Sequence, residues 1–328
     1  MIGLRRYPSS HADPIPNRVK RRDEQWGRRS LLFVRADDPR HLRSALASNA
    51  DGLVLDLETV PTEHLEKVRA LTCEVLKTAD FKGKEKIVRI HGVSGDKWYD
   101  DILAVMPGCP DTILPPWAQS ATEMLILDAV LKQLERKAGL EQGHVKLMPL
   151  IEVVPGLLNV VEIAQSTPRM TALMFGSGDY AMDMDHYYPD QDEVNIQYAR
   201  QRVVEAARLV GIDAIDTPWF GWEANSHRNL NAYRICAERA RMLGFDGKSA
   251  HTPGQVEVCN EVYRPTPEQL KAAHDFIKMQ EQHYSGDFGE RNDYYLVAWT
   301  MPAEGTLIRA RRGPAGMAKK SSAKSSSK

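Results

Sequence analysis

Two carboxylates carry the first chemical signal. Glu152 closes the otherwise apolar run KLMPLIE, and Asp179 stands 27 residues later in FGSGDYAMDMD. The run reads as a buried strand, and one strand–helix unit separates the two acids, so they are expected on adjacent strand ends. Two carboxylates with room for water suit a hard divalent cation such as Mg2+, which takes oxygen ligands and keeps water or substrate in its other positions. The competing reading is a strand-end glutamate and a turn aspartate that never meet. Asp183, Asp185 and His186 follow in the same loop. Their spacing is not that of an EF-hand and a single histidine does not make a zinc site, so Asp183 and Asp185 are expected to cap the next segment or face solvent.

Further charged residues sit where strands should end. Asp56 and Glu58 alternate at the end of GLVLDLE, and at most one of them is expected to face the interior of the sheet. Arg89 is a cation inside the apolar run KIVRI. Buried without a partner it would be costly, so it must meet a carboxylate, with Asp56 and Glu58 as internal candidates, or an anionic ligand.

The elements that position these groups follow a regular alternation. Strand candidates are Ser30–Val34, Gly52–Leu57, Lys86–Ile90, Thr112–Leu114, Lys146–Ile151, Ala172–Phe175, Ile212–Ile215 and Gly247–Ala250. Segments of helical periodicity lie between them, such as 64–76, 120–137, 157–165, 196–209 and 231–243. Eight β-then-α units predict an α/β protein built as a (β/α)8 TIM barrel. A doubly wound sheet is the structural rival, but no GxGxxG follows any of these strands. In a barrel the carboxyl ends of the strands carry the chemistry. Read in order, those ends are Arg35, Asp56 and Glu58, Arg89 and His91, Pro115–Trp117, Glu152, Asp179, Asp216 and His251.

Composition narrows the class. The 328 residues are 42% hydrophobic and 27% charged, globular proportions with no apolar run long enough to span a membrane. Residues 1–29 carry eight Lys/Arg against three acids and 309–328 carry seven against none, so the formal charge of -1 leaves -13 on residues 30–308. The neutral total therefore hides an acidic body between two basic ends. Neither end interleaves aromatics with its charges, so solvated tails are expected rather than nucleic-acid binding. Residues 1–28 read as an extended arm, 29–275 as the barrel, 276–310 as a C-terminal region and the Ser/Lys-rich 311–328 as a disordered tail. Cys73, Cys109, Cys236 and Cys259 form no CxxC pair, and the start has no apolar leader, which predicts a cytoplasmic protein without disulfides or a zinc ribbon.

Six ordered blocks carry a family resemblance: RSLLFVRADDPRHLRSALASNADGLVLDLETV, VRIHGVSGDKWYDDI, MPLIEVVPGLLNVVEIA, FGSGDYAMDMD, YARQRVVEAARLVGIDAIDTPW and GFDGKSAHTPGQV. Together, over roughly residues 29–275, they resemble the citrate lyase β-subunit-like group of the HpcH/HpaI aldolase superfamily, which includes malyl-CoA and citramalyl-CoA lyases. The resemblance implies a trimeric or hexameric barrel with Mg2+ on Glu152 and Asp179. It places Arg89 beside the substrate and lets Asp56 or Glu58 support the metal through water. Arg35, Gly178 and Asp179 join Arg89 as candidate substrate contacts. The implied reaction is cleavage of a 3-hydroxyacyl-CoA to an acyl-CoA and a 2-keto acid, glyoxylate or pyruvate. A CoA-independent 2-keto-acid aldolase, a thioesterase and a catalytically silent scaffold subunit are the alternatives.

The departures are specific. Where the family usually reads FVPG, LDLED, VRVN, LPKV and AIHP, this chain has Phe33-Val34-Arg35-Ala36, Thr59 after Glu58, His91, Pro116-Trp117 and Ala250-His251-Thr252-Pro253. The lysine expected after Pro115 is missing, and Arg35, His91 and Trp117 change the charge and bulk of the rim. The resemblance implies that 276–310 is a lid carrying an aspartate; the comparable stretch GTLIRARRG has Arg309 instead, and Asp287 and Asp293 are the alternative acids.

Overall fold

The computed structural model describes residues 27–186, 193–218 and 229–282, with Ala303, Thr306, Leu307 and Ala310. Described residues up to Tyr263 form one compact unit, and those from Arg264 on belong to a second. The first unit alternates strands and helices: β1 (Ser30–Val34), α1 (Pro39–Ala47), β2 (Gly52–Asp56), α2 (Leu65–Thr78), β3 (Glu85–Arg89), α3 (Trp98–Val105), β4 (Thr112–Leu114), α4 (Ala121–Ala138), β5 (Lys146–Leu147) and β6 (Leu150–Ile151). It continues with α5 (Val154–Leu158), α6 (Val160–Gln165), β7 (Ala172–Phe175), α7 (Ser177–Asp183), α8 (Gln197–Val210), β8 (Asp213–Asp216), α9 (Leu230–Leu243), β9 (Gly247–Ala250) and α10 (Pro253–Val262).

All strand pairings are parallel, in the order β5-β4-β3-β2-β1-β9-β8-β7-β6. The two ends of that order are the halves of one segment, Lys146–Ile151, expected as a single strand. It is interrupted at Pro149, which has no N–H for a ladder. The segment bonds to both neighbours: Met148 N donates to Ile113 O at 3.0 Å, while Met174 N donates to Pro149 O at 3.0 Å. The result is a curled parallel sheet with helices on its outer face.

Local sequence explains the helix ends. Asp38 caps α1 by accepting from the Arg40 and His41 amides, with Pro39 pre-set for the first turn. Ser120 and Glu123 form a reciprocal capping box on α4, which stops at Gly139 with φ +68°.

Strand alternation divides the core in two. Leu31, Phe33, Val54, Ile87, Leu114, Met148, Leu150, Ala172, Met174 and Ile215 cluster on the inner face. Their neighbours Leu32, Val34, Leu53, Leu55, Val88, Ile113 and Ala214 belong to the larger core shared with the helices. Because both faces are buried, the strands are nearly uninterrupted apolar runs, which is what made them legible.

The starts of the strands hold a buried charge cluster on the inner face. Arg28 donates to both oxygens of Glu85 at 2.8 Å, to Asp213 Oδ2 at 3.3 Å and to Thr171 Oγ1 at 2.9 Å, and Thr112 Oγ1 donates to Glu85 at 2.6 Å. In the second unit, α11 (Pro267–Gln282) runs unbroken through position 275, and its Ala273 clusters with Ala303 and Leu307. No described helix is long and apolar enough to cross a membrane.

Candidate active site

The same alternation that buries Val54 and Ile87 carries Asp56 and Arg89, two residues further on, to the inner face at the carboxyl ends of β2 and β3. The register pairs them directly. Arg89 Nε and Nη2 donate to the two Asp56 oxygens at 2.8 and 2.7 Å, a bidentate fork. Arg89 Nη1 meets Glu58 Oε2 at 2.6 Å, so the guanidinium holds both acids.

That finding corrects the expectation that only one of Asp56 and Glu58 faces inward. Residues two apart in a strand share a face, and beyond the end of β2 the Glu58 amide donates to Asp56 Oδ1 at 3.1 Å, which folds Glu58 over the same mouth. Thr59, the departure that follows it, donates its hydroxyl to Asp56 Oδ2 at 2.5 Å. The Arg89 guanidinium also lies 5.1 Å from the Phe33 ring centre, a cation–π contact that fixes its plane.

Across the mouth, Glu152 is only 2% exposed. Its Oε1 accepts from the Trp117 backbone amide at 2.9 Å, while the Trp117 indole N–H donates to Glu58 Oε1 at 2.9 Å. Gly176, at the start of α7, makes room for Glu152: a Cβ there would lie 2.5 Å from Glu152 Oε2 and 2.7 Å from Glu152 Cβ. Asp179 sits in the first turn of α7, half-buried.

The four acids are not equivalent. Burial would raise Asp56, but the hydrogen bonds and charge of Arg89 outweigh it and hold the carboxyl below its ordinary value. Glu58 is pushed up by burial, and the charges of Asp56 and Asp179 add to that against the opposing pull of Arg89. Glu152 is pushed up furthest, by burial and then by the charges of Glu58 and Asp179. Arg89, buried but surrounded by carboxylates, is held charged.

The other sequence candidates distribute differently. Arg35 pairs with Asp37, Nε to Oδ1 at 2.8 Å, and the charge of Asp56 also reaches it. Gly178 lies beside Asp179 in the first turn of α7. His91 turns to α3, where Nδ1 meets the buried Asp101 at 2.7 Å. Asp216 ends β8 as expected but points away from the mouth, because Ile215 holds the inner face. It is paired with Lys248 and with Arg200 Nε at 2.9 Å between sheet and helices. The His251 ring lies 5.9 Å from that of Phe33. Asp183 accepts from the Val154 amide at 2.6 Å and so caps α5, which precedes it in the chain. Asp287, Asp293 and Arg309 lie outside the described residues. Gly176 was not read as a site residue from the sequence, and Trp117 was read only as bulk at the rim, not as a donor to carboxylates. A tryptophan after two prolines and a glycine flanking SGD were their only signals.

The donor set fits a hard divalent cation. Asp56 and Glu58 pair with the Arg89 guanidinium, the charge of Glu152 reaches it, and the charge of Asp179 reaches Glu58 and Glu152, so carboxylates are in excess in a largely buried mouth. Among the described residues no three His, Cys, Asp or Glu side chains form a ready-made cage.

The model of the HpcH/HpaI aldolase/citrate lyase family matches residues 29–253. The chain is 34% identical over 257 residues to the citrate lyase subunit beta of Leuconostoc mesenteroides subsp. cremoris, covering 78% of this chain and 83% of that protein. It is 30% identical to the (3S)-malyl-CoA thioesterase of Cereibacter sphaeroides (strain ATCC 17025 / ATH 2.4.3), covering 77% and 83%. Among solved structures, protein CitE from Mycobacterium tuberculosis in complex with magnesium, acetoacetate and coenzyme A shares the fold, with a TM-score of 0.64 at 22% identity, covering 86% of this chain and 97% of that one.

Proposed function

The chain belongs to the HpcH/HpaI aldolase/citrate lyase family, and on that premise we propose that it is a Mg2+-dependent carbon–carbon lyase. Its substrate on this reading is a 3-hydroxyacyl-CoA such as malyl-CoA or citramalyl-CoA, cleaved to an acyl-CoA and a 2-keto acid. The observation that carries the proposal is the excess of carboxylates around Arg89 at one end of the sheet. The magnesium, acetoacetate and coenzyme A bound by the CitE structure support the ligand classes. The curled sheet is read as the eight-stranded barrel, supported by the hydrogen bonds of Lys146–Ile151 to both β4 and β7.

Each residue has a role in that reaction. Glu152 and Asp179 would hold the cation, and Glu58 would support it through water. When bound, Mg2+ would supply Lewis-acid polarisation and a template that orients the keto acid. Glu58, with its carboxyl raised by burial, takes the proton of the substrate hydroxyl as the C2–C3 bond breaks. The electron pair of that bond moves into the thioester enolate, and Arg89 stabilises the charge developing on its oxygen. Protonation at C2 then releases the acyl-CoA. Asp56, ionised and bidentate on Arg89, is the group that keeps the guanidinium aimed.

A second reading is hydrolysis of the thioester at the same site, supported by the (3S)-malyl-CoA thioesterase relative. Product analysis separates the two: a lyase turns malyl-CoA into acetyl-CoA and glyoxylate, and a thioesterase yields free CoA and malate. Cleavage of CoA-free hydroxy acids alone would favour the CoA-independent aldolase. Titration calorimetry with Mg2+ and then pyruvate or glyoxylate tests the site itself, and no metal-dependent keto-acid binding would leave only the silent scaffold.

A further inference from the structure

Among the described residues, Trp117 is the one that grips carboxylates from both sides of the mouth. Its backbone N–H donates to Glu152 Oε1 at 2.9 Å, just beyond β6, and its indole N–H donates to Glu58 Oε1 at 2.9 Å, just beyond β2. To do so it adopts φ +52°, in the left-handed region that glycine tolerates and a bulky aromatic residue rarely enters. Such a conformation persists only where the surroundings over-determine it. Here they do. Pro115 and Pro116 precede it with fixed φ, Leu150 N donates to Pro115 O at 2.9 Å, and Ala118 N donates to Leu150 O at 3.3 Å, so the tight turn is laced to the segment that ends in Glu152. Trp117 remains 40% exposed, so its side chain spans the mouth rather than filling a core.

We propose that Trp117 is a positioning residue for the cation site, its two N–H groups setting the separation and orientation of the Glu58 and Glu152 carboxylates. The proposal rests on the cation reading of that site. Two like charges held near each other repel, and a donor shared between them offsets part of that repulsion before the cation arrives. Its position within hydrogen-bond distance of Glu58 also makes the indole a reporter, because engagement of these carboxylates changes the surroundings of the ring.

The test compares wild type with Trp117→Phe and Trp117→Gly, using Mg2+ alone as ligand. Trp117→Phe keeps the bulk and the backbone donor and removes the indole donor. Trp117→Gly keeps the backbone donor, relieves the left-handed backbone and removes the ring. Calorimetry is expected to show Mg2+ affinity weakened about 10-fold or more in both, the scale seen for groups that orient metal ligands. The thermal midpoint of the glycine variant is expected to match or exceed that of wild type, a combination that a merely structural role would not give. A Mg2+-dependent change in tryptophan fluorescence is expected in wild type and lost in Trp117→Phe. Wild-type Mg2+ affinity in both variants overturns the positioning role while leaving the cation site standing. Absence of Mg2+ binding in wild type overturns the cation site and this proposal with it. Should Trp117→Phe fail to fold, the glycine variant alone decides.

Discussion

Asp56 and Arg89 are register partners across β2 and β3, and the guanidinium closes on the carboxylate with two hydrogen bonds of 2.8 and 2.7 Å. Both side chains are largely withdrawn from water, at 7% and 14% exposure. Arg89→Met leaves Asp56 and Glu58 without their cation and is expected to lower the unfolding free energy by about 3 kcal/mol in denaturant titration. Arg89→Lys keeps the charge but not the fork. It is expected to retain most of the stability and to lose about 100-fold in kcat, since a point charge does not reproduce the aimed donors.

Glu152→Gln keeps the shape of the side chain and removes its charge. Mg2+ affinity measured by calorimetry and turnover should both fall by at least about 10-fold, while circular dichroism stays unchanged. Unaltered Mg2+ binding would make Glu152 a strand-end residue without a ligand role.

Gly176→Ala tests the cradle from the other side. The added methyl would lie 2.5 Å from Glu152 Oε2, and the backbone φ of -115° is one alanine accepts, so the effect is steric alone. Overpacking of this kind costs about 1–3 kcal/mol. The expected signature is weaker Mg2+ binding together with a lower thermal midpoint, partly restored by the shorter acid in Gly176→Ala/Glu152→Asp.

The buried cluster of Arg169 with Asp128 and Glu135 gives a pH signature away from the mouth. Arg169 donates to Asp128 Oδ1 at 2.5 Å and to both Glu135 oxygens at 2.6 Å. Burial opposes ionisation of both acids, but Arg169, together with Lys132 on Asp128 and the Gly143 and Val145 amides on Glu135, holds both carboxyls below their ordinary values. A depressed folded value means stability that is present above about pH 4 and is lost as pH falls through the lowered values. Arg169→Met is therefore expected to be destabilised by about 3–5 kcal/mol at pH 7, with the gap to wild type narrowing as the pH is brought below 4. A gap that does not change with pH would rule out ionic stabilisation by Arg169.

What the sequence disclosed and what it withheld divide along physical lines. The strands were legible because parallel strands covered on both faces are continuous apolar runs. Arg89 was legible as a cation needing a partner because its neighbours Val88 and Ile90 had to be buried. The side of the sheet on which each charged residue stands was harder to read. Glu58 shares the face of Asp56, and Asp216 sits at a strand end yet one position out of phase with the inner residue Ile215, so it serves Lys248 and Arg200 instead. The carboxylate contacts of Trp117 and Gly176 were out of reach for a different reason. Their roles exist only toward Glu152, which is 35 positions from Trp117, and no local propensity encodes a contact across that distance.

The inner face of the sheet has charge at both ends and mainly apolar side chains between. Arg28 and Glu85 close one end, Asp56 and Arg89 line the other, and β3 alone supplies Glu85, Ile87 and Arg89 in sequence along that face. Four residues of strand separate Glu85 from Arg89 by about 13 Å, beyond the range at which substitutions usually interact. Selection can therefore revise the mouth without disturbing the anchor that holds the sheet at its base. A scaffold divided in this way is free to diverge in substrate while inheriting its durability unchanged.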